Sequence, residues 1–221
     1  QRQMCIRDSS REAKKLGIPM GIPTFKMTKE MKEATLITAS HDLYGEISDE
    51  VMSVLKSISP KVEQYSIDEA FVDLTGLVRL YKKNYLELAQ MIRQEVLEKV
   101  DIPVSIGVST SKSLAKLASD KAKNFEGGVF LVGSRKIEPL LKHTAIEEIW
   151  GIGRNLSRLF RQNGILSAYD LVQRSDSWLD KQIGIRGLEM KHELLGEMVS
   201  PVDDTFKPPK SIQKTSAFGI F

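Results

Sequence analysis

The chain has 221 residues, 41% hydrophobic and 28% charged, a composition that builds a packed core and excludes wholesale disorder. A single cysteine, Cys5, cannot close an internal disulfide, which excludes a disulfide-stapled secreted scaffold and fits a reducing cytoplasm. The 32 basic and 29 acidic residues leave a net charge of +3, too mild by itself to diagnose a nucleic-acid partner. No apolar run approaches the roughly 18 residues of a membrane span, so no membrane partner is expected. The sequence opens at Gln1 and closes inside a strand-like run, Ser216 to Phe221, and is expected to be a piece of a longer protein.

Residues 1–9 carry neither period nor caps and receive no element. From Ser10, an N-cap residue, Arg11 to Leu16 predicts a short helix ended by Gly17, and Pro19, Gly21 and Pro23 mark a loop. A short helix around Thr28 to Ala34 and a strand over Thr35 to Ala39 follow. Leu43, Ile47, Val51, Val54, Leu55 and Ile58 form the core stripe of a helix from Asp42 to Ile58. Beyond Pro60 the pattern becomes β-forming, and Val62 to Leu74 predicts a hairpin. A long helix over Lys82 to Lys99, a strand over Val104 to Val108, a helix over Ser111 to Lys123 and a strand over Val129 to Val132 complete an alternating pattern. Such alternation predicts an α/β (α+β) domain, a mixed sheet covered by helices. From about Lys142 only helical signals remain, as far as Glu197, which predicts a small all-helical second domain. Pro201 to Pro209 has the composition of a linker.

Three segments carry chemistry. The first is Tyr65-Ser66-Ile67-Asp68-Glu69-Ala70-Phe71-Val72-Asp73-Leu74, where two adjacent carboxylates interrupt an apolar run. On a regular strand Asp68 and Glu69 would point to opposite faces, but at a hairpin bend both can converge. Two unpaired carboxylates close together repel unless they share a cation. A hard divalent ion such as Mg²⁺ suits them, since it takes oxygen ligands and keeps waters for a substrate phosphate. The pair is equally readable as turn acids at the wet end of a hairpin, and Asp73 is read as structural.

The second segment runs from Gly107 to Lys123. On a helix, Lys112, Lys116 and Lys123 fall within a narrow arc opposite Leu114, Leu117, Ala118 and Ala122. The helix start, preceded by Ser and Thr, offers free N–H groups and a positive dipole end to a phosphate, and the lysines add charge for a triphosphate or a DNA backbone. A solvated face of an amphipathic helix gives the same pattern. The third segment, Ile149 to Arg161, holds Trp150-Gly151-Ile152-Gly153 ahead of Arg154, Arg158 and Arg161. A glycine turn opening a helix lets a phosphate approach the backbone, the pattern of a helix-hairpin-helix that grips DNA without reading sequence. Gly184-Ile185-Arg186-Gly187 looks like a weaker second copy, and a turn of packing value only remains open.

The order of these segments, with Tyr65 to Phe71 and Gly107 to Lys123 in particular, resembles the Y-family translesion DNA polymerases, UmuC-like branch. The resemblance covers about Ser10 to Phe221. Glu12-Ala13-Lys14-Lys15-Leu16-Gly17-Ile18 is similar to that branch's fingers, and Trp150 to Gly153 to its thumb. It implies a fingers/palm domain over 10–142, a helix-hairpin-helix thumb over 143–200, a linker over 201–209 and the start of a little-finger domain over 210–221. Asp68 would bridge two Mg²⁺ ions and Glu69 would help hold the ion that activates a primer 3′-hydroxyl. Lys14 and Lys123 would contact the incoming deoxynucleoside triphosphate. Gly151, Gly153, Arg154, Arg158, Lys112 and Lys116 would meet primer–template DNA. The implied activity is error-prone DNA synthesis across damage in an SOS-type response in the cytoplasm, with a UmuD-like subunit, a recombinase filament and a sliding clamp as partners.

Two departures accompany the resemblance. The family's first metal-binding aspartate and its ribonucleotide-excluding aromatic lie on a strand ahead of the fingers that the sequence before Ser10 does not match. Arg11 stands where several relatives carry an aromatic. The chain alone is therefore expected to bind metal and DNA weakly and not to polymerise. A palm-fold nucleotidyl cyclase would explain the acidic hairpin but not the glycine turn. A DNA-binding module without catalysis would explain the glycine turn but not the intact Asp68 and Glu69.

Overall fold

The structure, a computed structural model, describes residues 9–27, 31–205 and 211. It divides into two compact units, Gln1–Glu46 and Ile47–Phe221.

In the first unit, Arg11–Lys15 forms helix α1. Ser10 caps it, its hydroxyl accepting the Ala13 amide at 3.2 Å, and Gly17 ends it at φ +74°. Ile18 and Met27 are buried. A 3₁₀ turn spans Met31–Glu33, within the predicted helix over Thr28 to Ala34 whose first three residues lie outside the described ones. The strand expected over Thr35 to Ala39 is absent from the structure. The segment is irregular, and Leu36 and Ile37 are exposed. A strand exists only through a ladder with a neighbour, and no described strand pairs with it.

Helix α2, His41–Ile58, runs into the second unit. Its residues Met52, Val54, Leu55 and Ile58 pack with Val62, Leu77, Leu88, Ile92 and Val96 into one core. Strands β1, Val62–Gln64, and β2, Ala70–Val72, pair antiparallel with Val62 opposite Val72 and Gln64 opposite Ala70, which confirms the hairpin. Helix α3, Leu77–Tyr81, to which the sequence reading gave no element, precedes α4, Tyr85–Val100, the long helix expected over Lys82 to Lys99. The break between the two has a local cause. Lys82 turns left-handed at φ +50°, and Asn84 and Glu87 form a reciprocal capping box that starts α4 afresh.

Strand β3, Ile106–Val108, helix α5, Lys112–Ala122, and strand β4, Val129–Leu131, form a βαβ unit with β3 and β4 parallel. Gly107 lies against α5 so closely that a Cβ there would overlap the Ala115 carbonyl oxygen and the Ser119 nitrogen. Among the described residues the strands form two separate two-stranded ladders rather than one mixed sheet. Val72 and Ile106, one from each ladder, nevertheless pack on the same core.

From Ser134 the chain is helical, as α6, Ser134–Lys142, α7, Arg154–Gln162, α8, Ala168–Val172, α9, Asp176–Ile183, and α10, Ile185–Leu194. One β-bridge joins Ala145 to Ser167. These helices surround a second core containing Leu141, Ile146, Phe160, Ile165, Leu171, Leu179 and Leu194. Leu114 and Leu117 of α5 complete that core. Helix α5 thus backs onto β3 with one face and joins the helical core with another, leaving its lysine face for the β1–β2 hairpin. The residues assigned to a little-finger start, 210–221, lie outside the described ones apart from Ser211. Among the described residues no helix is long and apolar enough to cross a membrane.

Candidate active site

Asp68 and Glu69 lie in the five-residue turn between β1 and β2. The turn is closed by the amides of Tyr65 and Ser66, which both donate to the Glu69 carbonyl at 2.9 and 3.0 Å. Asp68 is exposed, and its Oδ1 accepts the Ser66 hydroxyl at 2.7 Å. Glu69 is half-buried, and its Oε1 is ion-paired with Lys116 Nζ. The sequence expectation was an unpaired acidic pair seeking a cation. Instead, the ammonium of Lys116 neutralises one of the two, and solvent reaches the other. Asp73 accepts the Thr75 amide at 2.9 Å with its carboxylate, while its carbonyl accepts the Ser59 hydroxyl at 2.8 Å, a structural role as expected.

The lysine face of α5 meets neither solvent nor an open phosphate cradle along most of its length. Lys112 is only 9% exposed and donates to Glu63 Oε2 at 2.5 Å. To reach a DNA phosphate, the contact expected of it, Lys112 would have to leave Glu63 as an uncompensated, largely covered carboxylate. Lys116 serves Glu69. Lys123, at the C-cap, is exposed and pairs with Asp120 at 2.6 Å.

The start of α5 differs from expectation for a second reason. Its amides are already taken, Leu114 donating to Ser111 Oγ at 3.3 Å and Ser113 to Glu193 Oε2 at 2.9 Å. Glu193 is 5% exposed, and its Oε1 accepts the amides of Val199 and Ser200 at 3.2 and 3.0 Å. A carboxylate from α10 therefore fills the positive helix end that the sequence offered to a phosphate. Asp203 then donates its amide to Glu63 Oε2 at 2.7 Å, so the first residues of the proline-rich segment are bonded to the same network.

The glycine turn has the opposite character. Ile152 donates to the Ile149 carbonyl at 3.0 Å, Gly151 adopts φ +89°, and extended Gly153 caps α7 without a side-chain bond. Among the described residues the amides that open α7 thus have no side-chain acceptor, unlike those of α5. Arg154 and Arg158 are exposed and have no ion-pair partner among the described residues. Together with Ser157, Arg161 and Gln162 they line one open, shallow face, on which Arg161 reaches Glu147 at 2.5 Å. Gly184, at φ +69°, joins α9 to α10, and a Cβ at Gly187 would crowd Ile183, so the second glycine pair serves helix packing. Lys14 is exposed on α1, in the other compact unit.

Among the described residues no group of three or more His, Cys, Asp or Glu side chains could hold a metal ion. Asp68 and Glu69 supply two carboxylates, which fits one hard cation whose remaining positions are water and substrate phosphate. A second ion would need oxygens these residues do not supply. Glu63 and Glu193, which the sequence reading missed, carry no local signal. Their partners are distant in sequence and come together only through packing.

Comparison with known proteins adds the family. The model described as impB/mucB/samB family matches residues 1–120, starting ahead of the Ser10 limit drawn from sequence. Protein UmuC of Salmonella typhimurium is 32% identical over 97% of the chain and 52% of its own length. DNA polymerase IV of Saccharolobus solfataricus is 32% identical over 92% of the chain and 57% of its own. Among solved structures, the insertion ternary complex of Dbh DNA polymerase superposes with a TM-score of 0.75 at 30% identity, covering 88% of this chain and 56% of that one. The chain spans about half the length of the curated relatives it matches.

Proposed function

Because the chain belongs to the impB/mucB/samB family of Y-family DNA polymerases, we propose that it is the palm-bearing part of an error-prone translesion DNA polymerase. Residues 10–142 then correspond to fingers and palm, 143–200 to a helix-hairpin-helix thumb, and the substrates are primer–template DNA and deoxynucleoside triphosphates. The observation that carries this reading is the contrast between two helix starts in the unit that also holds the acidic turn. The α5 start is closed by Glu193, the α7 start has no side-chain cap and lies beside two arginines without an ion-pair partner among the described residues, and the exposed acidic turn sits in the same compact unit.

Asp68 and Glu69 are the carboxylates proposed to hold Mg²⁺. When bound, a divalent ion favours ionisation of the attacking 3′-hydroxyl and neutralises charge on the leaving phosphates. Asp68 is the carboxylate ready for this role, exposed and oriented by the Ser66 hydroxyl. Glu69 must exchange its Lys116 partner, or share it, when a cation arrives. Lys123 can leave an exposed i,i+3 pair with Asp120 at little cost to meet a triphosphate. Lys14 is carried as a triphosphate contact by the family pattern alone. Gly151 and Gly153 bring the α7 amides to a DNA phosphate, and Arg154 and Arg158 add charge around it. With only Asp68 and Glu69 proposed as metal carboxylates, and no group of three or more metal-ligating side chains among the described residues, the 221-residue chain is proposed to bind metal and DNA weakly and not to extend primers.

Duplex binding by the 221-residue chain tests this reading. Affinity should fall steeply with salt, and Arg158→Ala should flatten the log–log salt slope by about 0.9. Arg135→Ala, on α6, should leave the slope unchanged. Equal slopes for wild type and Arg158→Ala would remove the α7 face from DNA binding.

A further inference from the structure

The acidic turn buries little of itself, since Tyr65, Ile67 and Asp68 are all exposed. Turns of that kind open easily unless something outside grips them. Beside the Lys116–Glu69 ion pair, the grip here is aromatic. The Trp150 ring lies edge-on to Tyr65 with centroids 5.0 Å apart, and against Phe71 at 5.7 Å. Tyr65 and Phe71 themselves meet edge-on at 5.9 Å. Tyr65 is the residue that enters the turn and Phe71 lies in the strand that leaves it, so one indole touches both ends of the segment bearing Asp68 and Glu69. Phe71 is further held by the Lys112 ammonium, 5.3 Å from its ring centroid.

Trp150 is itself rigidly mounted. Its neighbours Ile149 and Ile152 are buried in the helical core, and the Ile152 amide bonds back to the Ile149 carbonyl. Trp150 also immediately precedes Gly151 and Gly153, the turn that opens α7. The same residue therefore ties the acidic turn to the glycine turn.

We propose that Trp150 is a positioning residue for the acidic turn, its indole clamping Tyr65 and Phe71 so that Asp68 and Glu69 are held ready for a divalent cation. The proposal rests on the reading of Asp68 and Glu69 as the metal-holding pair. Each aromatic pair contributes beyond its buried area, and losing two of them corresponds to about a tenfold shift in the opening of the turn.

The test uses the 221-residue chain with two readouts, amide hydrogen exchange and Mn²⁺ binding followed by electron paramagnetic resonance. In Trp150→Leu, exchange of the Tyr65 and Ser66 amides should accelerate about tenfold and Mn²⁺ affinity should fall by a similar factor. The core amides of Leu171 and Leu179 should exchange as in wild type, and Trp150→Phe should retain wild-type values in both readouts. Should Trp150→Leu fail to fold, Tyr65→Leu removes the same contact from the hairpin side and should show the same acceleration at Ser66. Unchanged exchange at residues 65 and 66, or acceleration there no greater than at Leu171 and Leu179, overturns the proposal. Asp68→Asn, which keeps an oxygen acceptor for the Ser66 hydroxyl while removing the charge, separates the two claims. It should abolish Mn²⁺ binding without altering exchange, and if Mn²⁺ binding survives it, the metal reading fails while the exchange comparison still decides the role of Trp150.

Discussion

The Glu193 carboxylate accepts the Ser113 amide at 2.9 Å, so a side chain from α10 caps the helix that carries the three lysines. Its second oxygen accepts Val199 and Ser200, which makes this one carboxylate the junction of α5, α10 and the segment leading to Pro201. Glu193→Gln places an N–H donor where one of two acceptor oxygens is needed, leaving either the buried Ser113 amide or the amides of Val199 and Ser200 without an acceptor. A loss of about 1–3 kcal/mol is expected, seen as a fall in Tm of about 2–10 °C by thermal unfolding.

Gly107 and Gly127 make a matched pair of predictions. A Cβ at Gly107 would overlap the backbone of α5, which cannot move without disturbing the core around Leu114, whereas a Cβ at Gly127 meets nothing within 4 Å. Gly107→Ala should destabilise by about 3 kcal/mol or prevent folding, while Gly127→Ala should stay within about 0.5 kcal/mol of wild type. Urea midpoints for the two variants check this.

Lys112 and Lys142 test how burial grades an ion pair. Lys112 faces Glu63 with both side chains largely covered, whereas Lys142 and Glu138 pair at 2.7 Å on the surface of α6. Lys112→Ala should cost about 1–3 kcal/mol because it leaves the largely covered Glu63 carboxylate without its ammonium partner. Lys142→Ala should leave the unfolding midpoint close to that of wild type. If the two variants unfolded at the same denaturant concentration, the role given to Lys112 would be wrong.

The hairpin and the two short strands around α5 were legible because β-branched and aromatic residues cluster there between turn formers. The Ser10 and Ser111 caps were legible because a serine precedes a periodic run in each case. What the lysines of α5 touch was not legible, since Lys112 meets Glu63 from 49 positions away and Ser113 meets Glu193 from 80. A charge row on a helix looks the same whether it faces water, phosphate or carboxylates, and only tertiary packing chooses. The start of α4 at Tyr85 rather than Lys82 was readable in principle, because Asn84 and Glu87 have the spacing of a capping box. The apolar run over Thr35 to Ala39 misled in the other direction, since β-forming residues make no strand without a neighbour to pair with.

Asp73 supplies a pH dependence. The Thr75 hydroxyl bond, then the Thr75 amide and nearby Lys61, hold its carboxyl below the usual aspartate value despite partial burial. A lowered folded-state value means the stabilisation is complete above the unfolded pKa of about 3.9 and is lost as pH falls through the folded value. Asp73→Asn should therefore be less stable than wild type at neutral pH, with the difference shrinking on acidification toward pH 3. A difference that stays constant across that range would contradict the assignment.

Binding of a deoxynucleoside triphosphate to the 221-residue chain, titrated with and without Mn²⁺, addresses the central claim most directly. Binding should require the metal, should disappear in Asp68→Ala and should weaken in Lys123→Ala. Metal-independent binding, or binding that Asp68→Ala leaves intact, would mean that the turn between β1 and β2 is not a polymerase metal site.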